Sequence, residues 1–165
     1  MKNFFNFKKG FTLVEILLYM ALLSIFLLTL VDILVSILDV QLESQATSAV
    51  DIDSRFVSNR LGYDVLRADS VILPANLGDV SDSLTVSVGA SQYTYSLSGG
   101  NLVLDDGLGA LNLNSSETSI PSVTFQKLGN AGGKETVKVV YTVESKAVRP
   151  SGKETKTMDT VFGRR

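Results

Sequence analysis

One stretch constrains this chain more than any other. From Phe11 to Leu38 it is almost wholly apolar, interrupted by only two charges, Glu15 and Asp32, and by no proline or glycine. Leucine, isoleucine, methionine and alanine dominate, so the stretch is expected to be helical. A helix needs about 20 apolar residues to cross a bilayer, and Phe11–Val31 supplies them. Before it lies MKNFFNFKKG, with three lysines and no acid; after it come Asp32, Asp39 and Glu43. That asymmetry predicts an N-terminus in the cytoplasm and the remainder of the chain outside.

Three readings compete for such a segment. A secretory signal peptide would end near Ser44-Gln45-Ala46, a tolerable small-residue cleavage site, but its apolar region would be unusually long. A plain signal anchor needs no cleavage. Neither accounts for Glu15. A carboxylate this far into an apolar helix costs on the order of 2–3 kcal/mol without a partner, unless it snorkels to the membrane surface.

The third reading rests on residues in order. Lys8-Lys9-Gly10-Phe11-Thr12-Leu13-Val14-Glu15, followed by a long apolar run, resembles the prepilin signature of type IV pilins and type II secretion pseudopilins. The resemblance implies a short basic leader, with Lys8 and Lys9 in it, cut between Gly10 and Phe11 by a membrane prepilin peptidase. It also implies N-methylation of the new Phe11 amine and retention of the apolar segment. The residues suit that chemistry. Glycine lets a peptidase approach the backbone closely. Cleavage leaves an α-amino group that is charged or partly charged near neutral pH. Glu15 lies one helical turn on, on the same face. In the family this glutamate is thought to pair with the terminal amine of a neighbouring subunit, which selects for register because an unpaired carboxylate is penalised in low dielectric. Many relatives carry a helix-kinking proline further along; here Asp32 stands near that position, and the first proline is Pro74. Asp32 reads as the outer membrane boundary.

Composition narrows the function. The 165 residues include no cysteine and no histidine. Disulfides, thiolate or histidine metal sites, thiol catalysis and a Ser-His-Asp triad are excluded. A major pilin closed by a C-terminal disulfide is excluded with them. The formal net charge is −2, so no general basic surface for nucleic acid is expected. The chain reads as a structural or interaction protein, not an enzyme, with no cofactor. A secreted hydrolase would have neither a histidine base nor a nucleophile motif.

Beyond the apolar run, Val50, Val57, Leu61, Val65 and Ala68 recur at helical spacing. One helix is predicted from about Thr12 to about Ala68, with Arg55, Arg60, Asp64 and Arg67 mostly outward. After Pro74 the period changes to two. SLTVSV (83–88), QYTYSL (92–97) and NLVL (101–104), separated by Gly89 and Gly99-Gly100, predict a three-stranded meander. Ala110–Asn112, Ser122–Lys127, Thr136–Glu144 and Glu154–Phe162 read as further strands. The predicted fold class is α+β: a long N-terminal helix, transmembrane then amphipathic, packed on an antiparallel head sheet of about five to seven strands. The expected organisation is leader 1–10, transmembrane or assembly helix 11–38, amphipathic helix half 39–70 and β-rich head 71–165.

The helix exit at 59–68, the meander with Gly99-Gly100, the Ile120–Phe125 strand and a terminal strand ending in Arg164-Arg165 are similar to minor pilins and pseudopilins of the filament tip. Four lesser features compete with bland explanations. Asp105-Asp106-Gly107, with Asp79 and Asp82, is acidic enough for calcium, which some pseudopilin heads bind, but acid-glycine turns form for backbone reasons alone. Asn114-Ser115-Ser116 fits the N-glycosylation triplet. The C-terminal cations Lys134, Lys138, Lys146, Arg149, Lys153, Lys156, Arg164 and Arg165 are interleaved with acids and read as solvated, edge-protecting charges. Tyr93 and Tyr95 are expected to share a sheet face in the core. The resemblance implies other pilin subunits, the prepilin peptidase, an inner-membrane platform and assembly ATPase, and membrane lipid as partners. The expected location is the bacterial inner membrane and then the filament. The alternative is a single-pass membrane protein displaying an extracytoplasmic β-rich binding domain.

Overall fold

A computed structural model describes residues 10–130, 132–149 and 151–164. The chain divides into two units, Met1–Gln41 and Leu42–Arg165. A single helix, α1 (Leu13–Leu66, 54 residues), runs through both sequences.

Thr12 starts α1. Its side-chain oxygen accepts from the Glu15 amide at 3.3 Å, and its carbonyl accepts from the Ile16 amide at 3.2 Å. Thr12-Leu13-Val14-Glu15 thus contains a helix N-cap as well as the motif spacing. The 18-residue apolar window of α1 has a mean hydropathy of 2.6, and none of it is buried by the described residues. By length and composition it suffices to cross a membrane. Its few hydroxyls are internally satisfied: Ser24 donates to the Met20 carbonyl, Thr29 to Phe26 and Ser36 to Asp32. Such back-bonding removes the donor that would otherwise be stranded in hydrocarbon.

In the second unit, α1 carries the predicted stripe. Val50, Val57, Leu61 and Val65 are buried, and Ala68 just beyond the helix joins them. They pack on two antiparallel sheets. The first contains β1 (Ser70–Leu73), β3 (Leu84–Val88), β4 (Ser91–Ser98), β5 (Asn101–Asp105) and β6 (Ala110–Asn112), in the order β1-β3-β4-β5-β6. The second contains β2 (Val80–Ser81), β7 (Thr118–Leu128), β8 (Thr136–Ser145) and β9 (Thr155–Gly163), in the order β2-β7-β8-β9. The predicted meander is present as β3-β4-β5. Gly99 and Gly100 both take positive φ, 58° and 76°, as the type I′ turn between β4 and β5 requires. The buried positions of β8, Val137, Val139, Tyr141 and Val143, alternate as the sequence pattern demands.

Two expectations need correction. The head has two sheets, not one. β1 and β2 were not predicted: Ser70–Leu73 lacks clean alternation, and a two-residue strand carries no period. Asp64 is not outward; its side chain is fully buried. It accepts from the Tyr95 hydroxyl and pairs with Arg60 Nε at 3.0 Å and Arg67 Nη2 at 2.7 Å. The Arg67 guanidinium also lies over the rings of Tyr63 and Tyr93, at 4.4 and 4.8 Å. Burial, and the Asp64 carboxylate it donates to, hold the Tyr95 phenol well above its usual pKa. Burial likewise pushes Tyr141 up to about 12; its hydroxyl donates to the Ser54 carbonyl at 2.6 Å, pinning β8 to α1.

A buried cation, Lys127, ties the sheets together. Lys127 on β7 donates to the Val71 carbonyl at 2.8 Å and pairs with Glu135 at 2.7 Å, while Glu135 accepts from the Val71 amide at 2.8 Å. Burial opposes ionisation of Glu135, but Lys127 and the Val71 amide together outweigh it and hold the carboxyl below its ordinary 4.5. A depressed carboxyl contributes stability that is present above the unfolded value and lost as pH falls through the folded one. Glu135→Gln is therefore expected to destabilise the full chain by about 1 kcal/mol at pH 7. That deficit should vanish as the pH drops below the ordinary glutamate range, measured by thermal unfolding in detergent across a pH series.

Candidate functional site

Gly10 is exposed, and a Cβ built there meets nothing within 4 Å among the described residues. Phe11 is 74% exposed. Thr12 caps the helix, and Glu15 sits in its first turn, half-buried. Lys8 and Lys9 lie outside the described residues. Thus Gly10, Phe11 and Glu15 occupy a short exposed lead-in and one helical turn. The ring of Phe11 meets that of Tyr19 edge-on, with centroids 6.4 Å apart and planes at 73°. The Tyr19 hydroxyl donates to Glu15 Oε1 at 3.2 Å. Residues 11, 15 and 19 therefore line one face, as i, i+4 spacing dictates. The carboxylate is turned along the helix towards Tyr19 and leaves the capping of α1 to Thr12. Sequence reasoning passed over Tyr19; its spacing from Glu15 was the available signal.

The lesser sites have local explanations. Asp105 Oδ1 accepts from the Gly107 amide and Asp106 Oδ1 from the Leu108 amide, at 2.8 and 3.0 Å, so both carboxylates shape their own turn. Asp79 is engaged by the backbone and side-chain amides of Asn76. Among the described residues, no three acidic side chains gather as a metal site would require.

Asn114 does not match an exposed glycosylation acceptor. It is buried, accepts from the Leu102 amide at 3.0 Å, and donates to Asn101 Oδ1 at 2.9 Å and the Thr118 carbonyl at 3.1 Å. It holds the passage from β6 to β7. Asp53 of α1 grips the same passage, accepting from the Ser115 amide at 2.9 Å and hydroxyl at 2.8 Å and from the Thr118 hydroxyl. Asn114→Ala strands several of these partners, and a loss of about 2–3 kcal/mol is expected in denaturant unfolding of the full chain.

Four of the C-terminal cations are paired with acids. Lys138 pairs with Asp159 at 3.0 Å, Lys153 with Glu144 at 3.3 Å and Lys156 with Asp51 at 2.6 Å. Arg149 pairs with Glu154 at 2.7 Å and Glu43 at 3.3 Å. Lys146 donates to the Ser116 carbonyl at 3.1 Å. These pairs join β8 to β9 and β9 to α1 and interleave acids with those cations. Arg165 lies outside the described residues.

Residues 6–31 match the family described as the prokaryotic N-terminal methylation motif. No curated protein and no solved structure matches the chain. The matched segment covers Lys8 and Lys9, the Gly10-Phe11 junction, Glu15 and the apolar start of α1. It ends at Val31, and the head lies beyond it. Motif order, N-cap and apolar helix agree in identifying residues 6–31 as a prepilin-type N-terminal methylation motif, of the kind that type IV pilins and pseudopilins carry.

Proposed function

We propose that the chain is a structural subunit, a minor pilin or pseudopilin, of a type IV pilus-like or type II secretion filament. In this reading residues 1–10 are the leader removed by the prepilin peptidase. Residues 11–38 are the assembly helix, 39–70 the amphipathic half and 71–165 the head. Phe11 becomes the methylated terminus, and Glu15 pairs with the terminal amine of a neighbouring subunit. The work is mechanical rather than catalytic. The partners are other pilin-type subunits, the peptidase, the inner-membrane platform and its ATPase. The subunit waits in the inner membrane with its head outside.

One observation carries this reading: the methylation motif at 6–31 opens a helix whose apolar window finds no cover among the described residues. Such a surface needs lipid first and other apolar helices afterwards. An ordinary signal peptide would instead be cut beside Ala46, which is 2% exposed and part of the packed head.

The test is the N-terminal residue of the protein recovered from its host, by mass spectrometry of the terminal peptide. The expected chain starts at N-methylated Phe11. A start near Thr47 would establish a conventional signal peptide, and an intact Met1 the single-pass anchor displaying a binding domain.

A further inference from the structure

Tyr19 has no task in the scheme above. It is the sole phenol between Phe11 and Leu38. The other hydroxyls of the apolar helix, those of Ser24, Thr29 and Ser36, donate back to carbonyls of their own turn. The phenol oxygen of a tyrosine stands too far from its backbone for that bond. Tyr19 instead donates to Glu15 Oε1 at 3.2 Å. The same ring packs edge-on against Phe11. Both contacts belong to one face, and both involve residues at which the prepilin motif does its work.

We infer that Tyr19 is a positioning residue for Glu15 and Phe11: its hydroxyl holds one carboxylate oxygen while its ring fixes the side chain of the new N-terminal residue. This rests on the proposed filament subunit. Two physical effects follow. A carboxylate among lipid tails is penalised for every lone pair left without a donor, and Tyr19 supplies a donor while the subunit is still alone in the membrane. The pairing group also loses rotamer freedom before the partner arrives, so less ordering remains to be done at assembly. Oε1 is engaged, and Oε2 is left to accept from an incoming amine. A leucine at this position would fill the same space in lipid but do neither.

The decisive substitution is Tyr19→Phe, which keeps the ring against Phe11 and removes only the donor. It is compared with Glu15→Ala and with the double variant, each as the full chain in its host. Terminal-peptide mass spectrometry is expected to show all three processed like the parent. Incorporation into sheared filaments is expected to fall about ten-fold in Tyr19→Phe, as loss of one hydrogen bond to a charged group would produce. The double variant should be no worse than Glu15→Ala alone, because the hydroxyl acts through that carboxylate.

A spectroscopic readout is independent of assembly. Processed full-length subunit, carrying carboxyl-labelled glutamate, is placed in phosphatidylethanolamine–phosphatidylglycerol vesicles. The Glu15 band, identified by its loss in Glu15→Ala, should shift in the infrared spectrum of Tyr19→Phe. An unmoved band overturns the proposal, as does unchanged incorporation of Tyr19→Phe where Glu15→Ala fails to incorporate. A parent chain that keeps Met1 overturns instead the filament reading on which the assembly role depends, whereas Glu15→Ala subunits that incorporate normally overturn the assembly role of Glu15, and of Tyr19 through it, while the filament reading stands. In either case a shifted band still separates the Tyr19–Glu15 contact from that failure.

Discussion

Gly10→Trp is expected to stop maturation: no terminal peptide beginning at Phe11 is recovered, and the chain is absent from sheared filaments. The argument combines chemistry with the structure. A peptidase must bring its catalytic groups up to the Gly10–Phe11 amide, and glycine alone offers that bond without a side chain on the acyl side. The structure removes the competing explanation, that a bulky residue disturbs folding. Gly10 precedes α1, is exposed, and has open space among the described residues where a Cβ would stand. Head stability, measured by thermal unfolding, is therefore expected to match the parent while processing is lost. A Gly10→Trp chain that is cut and assembled normally would sink the proposed cleavage site. Glu15→Ala should do the opposite, with cleavage intact and incorporation impaired.

Asp64→Ala is expected to be the most damaging single change in the head, by about 3 kcal/mol. Asp64 is completely buried and faces Tyr95, Arg60 and Arg67 at once. Its removal leaves the buried Tyr95 hydroxyl without an acceptor and two like charges beside each other. The guanidiniums are about a third exposed, at 34% and 32%, so they recover some hydration. The expected loss therefore lies at the lower end for a broken buried pair. Tyr95→Phe removes one neutral donor and leaves the carboxylate with both arginines; about 1–2 kcal/mol is expected. The double variant should fall short of the sum, since both changes disrupt the same bond. Thermal unfolding of the full chain in detergent, followed by near-ultraviolet circular dichroism, measures all three. A loss for Asp64→Ala no greater than for an exposed acid such as Asp159 would show that the cluster carries no stability.

The long helix and the meander were legible because each repeats a short-range rule many times. Val50, Val57, Leu61, Val65 and Ala68 keep one face apolar over several turns, and all are buried. Alternation between glycine turns located β3, β4 and β5 to within a residue or two. The failures are equally specific. Asp64 shares the inward face with Leu61 and Val65, although its charge alone predicts an outward side chain. Its spacing favoured the core, but the hydroxyl that makes burial tolerable belongs to Tyr95, 31 residues away. The Asn114-Ser115-Ser116 triplet is of a kind common by chance, and the burial of Asn114 depends on Asn101, Leu102 and Thr118 closing around it. The division into two sheets left no local trace, since a strand's alternation reports which face is apolar and not which neighbour it pairs with.

By itself, then, the sequence determined what needs only neighbours along the chain. It set the prepilin-type motif, the apolar span, the helix that carries both, and the strands with regular period. The tertiary structure decided the pairing of β1 and β2, the split into two sheets and the fate of the polar side chains at Asp53, Asp64, Asn114 and Lys127. Each of those depends on a partner 12 to 65 residues distant. A polar group is stable in the core only once such a partner has been folded against it, and spacing along one segment carries no record of that partner.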